Sequence, residues 1–241
     1  MARLATKSAF TVGLLFLLMA VPALAVTVNK SIKIGAGEEA SGASSVNGSI
    51  SIGEDAVVTG NVKTVNGSIR IDDGATIEKA STVNGSVRLA DNVKSEGLST
   101  VNGTVTLGSG TTVDGDVETV NGRITMAETV RVADDVTNVN GQIELMGAAV
   151  GGNIETVNGD IELYGNSVVQ GNIVVNKQSG WGWGKSKQRK PRIVIGPGAR
   201  VEGKIILERE VELYISETAQ VSLVEGEMSM DDAVRFSGKR P

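Results

Sequence analysis

The sequence of 241 residues contains no cysteine and no histidine, and aromatic residues make up only 3% of it. The absence of cysteine excludes disulfides, thiolate metal sites and lipid-modified cysteine. The absence of histidine excludes an imidazole base, a Ser–His pair and histidine-ligated zinc. We therefore predict no catalytic residue, no metal site and no cofactor, and an interior built from valine, isoleucine, leucine and alanine.

The first 25 residues are organised like a secretory signal peptide. Arg3 and Lys7 precede an apolar run from Ala9 to Val21, and Ala23-Leu24-Ala25 forms a small-x-small cleavage site. The alternative is an uncleaved membrane anchor, but the apolar run is shorter than the roughly 20 residues that span a bilayer. We expect cleavage after Ala25 and an exported mature chain that is periplasmic, associated with the outer envelope or secreted.

The rest of the chain is dominated by one tetrapeptide, Thr-Val-Asn-Gly, and its near copies. A short fixed period is the signature of a solenoid, in which each repeat forms one turn of a stacked coil. Val28-Asn29-Lys30 and Val175-Asn176-Lys177 are outer copies in which lysine replaces glycine. The asparagines of the complete copies recur at steps of 18 or 19 residues, at Asn47, Asn66, Asn84, Asn102, Asn121, Asn140 and Asn158.

One repeat indicates how a coil is built. After Asn66-Gly67, the stretch Ser68 to Ile71 alternates polar and apolar residues, which predicts a strand with Ile69 and Ile71 facing inward. Asp72-Asp73-Gly74 has the composition of a turn, and Ala75 and Ile77 are the next inward positions. Three short sides per turn predict an all-β, single-stranded parallel β-helix of about ten coils over residues 26–224.

The repeat has two structural alternatives to a right-handed parallel β-helix: an antiparallel meander and a left-handed coil. Asn-Gly between apolar alternations is a strong hairpin signal, so an antiparallel meander is the rival fold. A meander would need a second, equally regular turn in each period, and the sequence varies too much there. For the winding, Ile52-Gly53-Glu54-Asp55-Ala56 is similar to the hexapeptide of left-handed β-helices, but the 18–19 step breaks strict hexad phasing, and we favour a right-handed coil.

The repeated asparagines are predicted to form a structural ladder. A polar side chain placed identically on every coil can hydrogen-bond to its copies above and below. The glycine that follows is expected to permit a positive φ, and the lysine-ending outer copies are consistent with capping of the terminal coils. The alternative is that the asparagines form a ligand-binding comb.

The repeat is interrupted at residues 177–192, a segment that contains six basic residues, no acidic residue and both tryptophans. The β pattern resumes at Ile193, so we predict a loop inserted into a continuous helix. The chain after residue 25 has 21 basic and 28 acidic residues. A cationic loop on an acidic rod could bind anionic lipid, lipopolysaccharide, wall polymer or the acidic flank of another copy, or it is only a solvated insertion. The candidate binding residues are Trp181, Trp183, Lys185, Lys187, Arg189 and Lys190.

Two remaining features bear on organisation and chemistry. Residues 225–241 carry few apolar side chains and are predicted to be a flexible tail, in which Met228 to Phe236 could dock as a short cap. Asp72-Asp73 and Asp134-Asp135 are acidic pairs of the kind a carbohydrate-active enzyme would cluster, but both occupy turn positions of the repeat. Nucleic acid is not expected as a partner of an exported chain.

The repeated x-Ile-x-Ile-Gly-x-x-Ala-x-Val-x-Gly-x-Val unit, clear at Ser49 to Val62 and at Arg192 to Ile205, resembles that of bactofilins, the polymer-forming bacterial β-helices. The Val-Asn-Gly-x-Ile spacing is also similar to adhesin-type β-solenoid repeats. The resemblance covers roughly residues 28–224 and implies a structural role with self-association. It differs in that typical bactofilins are cytoplasmic and this chain has an export signal. We expect a non-enzymatic structural or adhesion-type protein of the cell envelope, with a surface-binding module and an enzyme as alternatives.

Overall fold

The computed structural model of the chain describes residues 28–177 and 189–241, so the predicted signal peptide lies outside the described residues. Within these ranges the chain is all-β, and 25 strands form one continuous sheet. All strand pairs are parallel, each strand pairs with strands one coil away, and the chain winds through about ten turns. The predicted parallel β-helix is confirmed.

Each coil has three flat faces, which we call the first, second and third faces in chain order. The first face holds β1 (Ile32–Ile34), β4 (Ile50–Ile52), β7 (Ile69–Ile71), β9 (Val87–Leu89), β11 (Val105–Leu107), β18 (Asp160–Tyr164), β21 (Arg192–Ile195), β23 (Glu212–Ser216) and β25 (Val234–Phe236). The second face holds β2 (Glu39–Ala40), β5 (Val57–Val58), β12 (Thr112–Val113), β14 (Arg131–Val132), β16 (Ala149–Val150) and β19 (Val168–Val169).

The third face holds β3 (Ala43–Ser45), β6 (Val62–Asn66), β17 (Ile154–Thr156) and β20 (Ile173–Val175). Six longer strands bend across a corner. The second and third faces share β8 (Thr76–Asn84), β10 (Lys94–Asn102), β22 (Arg200–Leu207) and β24 (Gln220–Gly226), and the third and first faces share β13 (Val117–Met126) and β15 (Val136–Met146).

The core is a column of small and branched apolar side chains that runs along the axis of the coil. In the coil that served as the sequence example, Ile69, Ile71 and Ala75 are fully buried and Ile77 is nearly so, which confirms their predicted inward orientation. Full burial of one such isoleucine contributes about 1.5–3 kcal/mol. Because each coil buries its side chains against the next, stability accumulates along the rod.

The corner between the third and first faces carries the repeated tetrapeptide, and its first residue is buried. Its hydroxyl donates a hydrogen bond to a backbone carbonyl one coil earlier: from Thr64 to Gly48 (2.8 Å), and in the same way from Thr82 to Gly67 and from Thr100 to Gly85 (both 2.9 Å). Those carbonyl groups lie at a bend, where a buried backbone oxygen needs a donor. The threonine is thus as much part of the corner as the asparagine, a role that the sequence analysis missed.

Glycine is required at this corner because there is no room for a side chain. A positive φ was predicted for the corner glycines, but of these only Gly141 has one (138°), so that prediction was wrong for the others. A Cβ at Gly67, Gly85 or Gly103 would instead collide with the carbonyl oxygen of the corner glycine one coil earlier. Stacking at the spacing of strands, about 4.8 Å, leaves no room for a side chain at that point.

The positive-φ residues stand at another corner, between the first and second faces. There Asp55, Gly74, Asn92, Gly110 and Thr129 adopt φ values between 54° and 72°. Glycine, asparagine and aspartate are the residue types that tolerate this conformation best. A second regular turn therefore recurs along the rod, although its sequence varies, and it serves the parallel coil and not a meander.

The coil continues across the inserted segment and almost to the C-terminus. Ile161 pairs with Ile193 and Leu163 with Ile195, so β21 stacks on β18 on the far side of residues 177–192. In the predicted tail, a 3-10 turn (Met230–Asp232) and β25 follow β24, and β25 pairs with β23. Met228 and Met230 pack against the end of the core. The 3-10 turn and β25 thus lie in the stretch Met228 to Phe236, which the sequence analysis named as a segment that could dock as a short cap.

The lack of space at the corner predicts different outcomes for alanine substitution of Gly97, which lies in β10, and of Gly103, which directly follows β10. Gly103→Ala should lower the free energy of unfolding by about 1–3 kcal/mol, as for other overpacking substitutions. Gly97→Ala is the matched control, because its Cβ would meet its nearest neighbour, the Asp116 carbonyl oxygen, at 3.4 Å, and a change below about 0.5 kcal/mol is expected. Urea unfolding followed by circular dichroism measures both. Equal stabilities for the two variants would contradict the argument.

Candidate functional surfaces

The asparagine side chains form a continuous hydrogen-bonded ladder on the outside of the rod. In every step the Nδ2 group of one asparagine donates to the Oδ1 atom of the asparagine one coil earlier, at 2.7 to 3.0 Å. The steps between the coils join Asn29, Asn47, Asn66, Asn84, Asn102, Asn121, Asn140 and Asn158. All the amides point in the same direction, so their dipoles add along the column.

The two ends of the ladder are built differently. At the N-terminal end, Asn29 accepts from Asn47 at 2.7 Å, so the outer copy Val28-Asn29-Lys30 belongs to the ladder. At the other end, Asn176 does not continue it, and its Nδ2 atom lies 3.5 Å from a Glu155 carboxylate oxygen. The Nη1 atom of Arg209 takes the place of the missing donor and lies 2.8 Å from Oδ1 of Asn158.

The two ends of the basic segment, residues 177–192, are anchored to the rod. Arg189 forms an ion pair with Asp160 (2.5 Å), and Lys190 forms one with Glu210 (2.6 Å). At the other flank the backbone amide of Lys177 donates to a Glu208 carboxylate oxygen at 3.2 Å. Of the six candidate anion-binding residues, Arg189 and Lys190 therefore already have carboxylate partners. The other four (Trp181, Trp183, Lys185 and Lys187) lie outside the described residues.

The two acidic pairs lie at different corners of the rod and are not brought together. Asp72 pairs with Arg70 at 2.9 Å, and Asp73 accepts a hydrogen bond from the backbone amide of Asp91, also at 2.9 Å. Asp135 accepts from the amide of Asn153 at 2.6 Å. Asp73 and Asp135 thus satisfy backbone donors of the next coil, as turn aspartates do. Residues 28–177 and 189–241 contain no group of acidic side chains arranged to hold a metal ion.

A band of carboxylates runs along the third face in the middle coils. Glu118 and Glu155 lie two coils apart there, with Asp116 and Asp135 beside them. Burial raises the pKa of Glu118, and the negative charge of Asp116 raises it further. Burial likewise raises the pKa of Glu155, while a hydrogen bond from Asn176 lowers it. Among the ion pairs of the described residues, none involves these four carboxylates.

Comparison of the chain with protein-family models, with curated proteins and with solved structures found no match. By its strand pairing the protein is a parallel β-solenoid. That architecture does not determine a function, which has to be inferred from the surface. In the described ranges, no helix has the length and apolarity needed to cross a membrane.

The ladder predicts a graded loss of stability. Asn102→Ala removes one bond to Asn84 and one from Asn121, whereas Asn29→Ala removes the single bond from Asn47. With about 0.5–1 kcal/mol for each exposed amide bond, the first substitution should cost about twice as much as the second. Asn61→Ala, at an exposed asparagine outside the ladder, is the control and should be nearly neutral. Thermal or urea unfolding checks the ranking, and a neutral Asn102→Ala would contradict it.

Proposed function

We propose that the protein is a non-enzymatic structural or adhesion-type rod of the bacterial cell envelope whose copies associate end to end. The observation that carries this proposal is the open edge of the first coil. Strands β1, β2 and β3 each pair with one strand of the next coil, and no strand among the described residues pairs with their other edge. A row of unpaired backbone donors and acceptors is a template for pairing with another chain.

The charge distribution supports contact at an end over contact along a side. The carboxylate band on the third face would repel the same band on a second rod lying beside it. An end contact keeps those bands apart and extends the sheet by main-chain hydrogen bonds. About ten coils at ~4.8 Å each make a rod on the order of 50 Å long, so paired rods would differ clearly from single ones in hydrodynamic size.

The two ends of the rod are not equivalent, and this favours the N-terminal coil as the contact. At the C-terminal end, Met228, Met230 and Ala233 pack against the last part of the core. If only the N-terminal end is used, two copies meet in a closed pair, whereas a filament would use both ends. Closed pairs are therefore the expected product.

The envelope assignment rests on the sequence. The signal-like first 25 residues support export, and the repeat resembles that of polymer-forming bactofilins and of adhesin-type solenoids. Fold alone does not determine function, so the resemblance contributes a structural role and no catalytic residue.

The test uses residues 26–241 and a substitution at the open edge. The amide of Ile32 donates to Ser49 and the carbonyl of Ile34 accepts from Gly53, so in a parallel strand the intervening Lys33 amide faces the outer edge. Lys33→Pro removes that outer donor and leaves the bonds to the next coil in place. We expect the parent protein to self-associate in sedimentation velocity or light scattering and Lys33→Pro to weaken association.

Lys33→Ala is the matched control, because it removes the charge and keeps the amide, and it should associate like the parent protein. Monomers at all concentrations and salt levels would refute self-association. Association that Lys33→Pro leaves unchanged would refute the N-terminal edge as the contact, and electron microscopy would then show whether filaments form.

The second candidate function is binding to an anionic envelope surface through the basic segment. The observation that favours it is the anchoring of Lys177, Arg189 and Lys190 to carboxylates of the rod, which fixes where the segment leaves the coil. Because Arg189 and Lys190 are paired, we assign binding to Trp181, Trp183, Lys185 and Lys187. Tryptophan and lysine together suit the interface of an anionic lipid, lipopolysaccharide or wall polymer.

A pair of variants separates Lys185 and Lys187 from Arg189 and Lys190, which have carboxylate partners on the rod. Lys185→Gln with Lys187→Gln should weaken binding to vesicles that contain anionic lipid by about thirtyfold, since each basic residue near such a surface contributes about 1 kcal/mol. Arg189→Gln with Lys190→Gln removes the same charge and should have the smaller effect. Vesicle co-sedimentation measures both. Equal losses in the two variants would contradict the assignment, and no binding by the parent protein would refute the function.

A further inference from the structure

The outer surface of the first face has a covered region near the C-terminal end of the rod. In β18 and β21 the inward residues are Ile161, Leu163, Ile193 and Ile195, so alternation turns Tyr164 and Val194 outward. Both outward side chains are nevertheless buried, Tyr164 with 6% exposure and Val194 with none. A second layer must therefore lie over this part of the sheet.

The C-terminal arm, residues 237–241, supplies part of that layer. The guanidinium carbon of Arg240 lies 5.1 Å from the centre of the Tyr164 ring, and its Nη2 atom lies 4.0 Å from a Glu144 carboxylate oxygen. The Tyr164 ring packs against Gly196, which directly follows the next strand, β21. A Cβ at Gly196 would lie 2.5 Å from Cδ1 of Tyr164, so only glycine leaves room for the ring. The arm thus reaches back from the last coil across the face.

The surface beneath Arg240 is suited to a guanidinium group. Glu144 and Glu162 lie directly opposite each other on adjacent strands, and two like charges so placed favour a cation between or above them. The face of Tyr164 provides the negative side of an aromatic ring. We call Glu144, Glu162 and Tyr164 the cation cradle. A planar guanidinium can stack on the ring and pair with a carboxylate at once, which an ammonium group does less well.

Arg240 occupies the cradle only loosely. Its side chain is 66% exposed, and its ion pair with Glu144 is at the outer limit of such contacts, so the pair contributes little. In this closed state the Tyr164 hydroxyl is buried, and no acceptor among the described residues lies at hydrogen-bond geometry to it. An unpaired buried hydroxyl opposes the closed state. Glu162, meanwhile, is partly engaged by Arg192 at 3.2 Å.

We propose that the cation cradle is a binding site for an arginine side chain of a peptide segment in a partner protein, and that Arg240 is its built-in competitor. An arginine on a peptide segment can take the place that Arg240 takes now, because the contacts to Tyr164 and Glu144 are made by the guanidinium group. The apparent affinity for a partner is then reduced by the fraction of molecules in which the arm is closed.

The experiment uses a fluorescent peptide with the sequence of residues 236–241, Phe-Ser-Gly-Lys-Arg-Pro, added to the folded full-length mature chain. The parent protein should bind it weakly. Arg240→Ala opens the cradle and should bind it about tenfold more tightly if the arm is closed in roughly nine molecules of ten. Fluorescence anisotropy gives both dissociation constants, and circular dichroism confirms that the variant is folded.

Two controls separate the cradle from general attraction between a basic peptide and an acidic rod. Glu144→Gln in the Arg240→Ala background should abolish the tighter binding, whereas Glu78→Gln, at a glutamate in β8 on another face, should preserve it. A peptide with alanine in place of arginine should not bind. Equal binding by the parent protein and Arg240→Ala, or equal losses with Glu144→Gln and Glu78→Gln, would overturn the proposal.

Discussion

The close approach of backbone to backbone at the corner between the third and first faces constrains the whole rod. Glycine is needed there because any Cβ would strike the carbonyl oxygen of the coil before. The same carbonyl group accepts a hydrogen bond from the threonine hydroxyl of the next coil, which satisfies it. The asparagine then closes the outside of the corner by bonding to its own copy. Threonine, asparagine and glycine thus meet three requirements of one corner, and this corner recurs in each coil from Asn47 to Asn158.

The parallel coil could be predicted because this corner tolerates so few residues. Where the structure demands one residue type, the sequence repeats it, and the period becomes visible. The corner between the first and second faces demands only a positive φ, which Asp55, Gly74, Asn92 and even Thr129 supply. Its regularity lies in the backbone and leaves little trace in the sequence. For the same reason the sequence misassigned the positive φ to the glycines that are most regularly repeated.

The ends of the rod and of the ladder could not be predicted from the repeat. Asn29 and Asn176 stand in equivalent outer copies, but only Asn29 joins the ladder. What distinguishes them is Arg209, which reaches Asn158 from 51 positions away in the sequence. The basic composition of residues 177–192 was visible, whereas the pairing of Arg189 with Asp160 and of Lys190 with Glu210 was not. Such contacts depend on which coils the insertion places side by side.

A periodic architecture also separates structural demands from functional ones. Each inner coil is fixed by stacking on two neighbours, so its repeated residues need no explanation beyond that stacking. Stacking on neighbours does not require the basic insertion, the carboxylate band on the third face or the arm that lays Arg240 on Tyr164. Beneath the arm, the Tyr164 hydroxyl is buried without a hydrogen-bond partner in the described part of the chain, which a purely structural contact would tend to avoid. Stacking accounts for the repeated residues of the rod. We therefore expect binding and assembly to involve the features that stacking does not require.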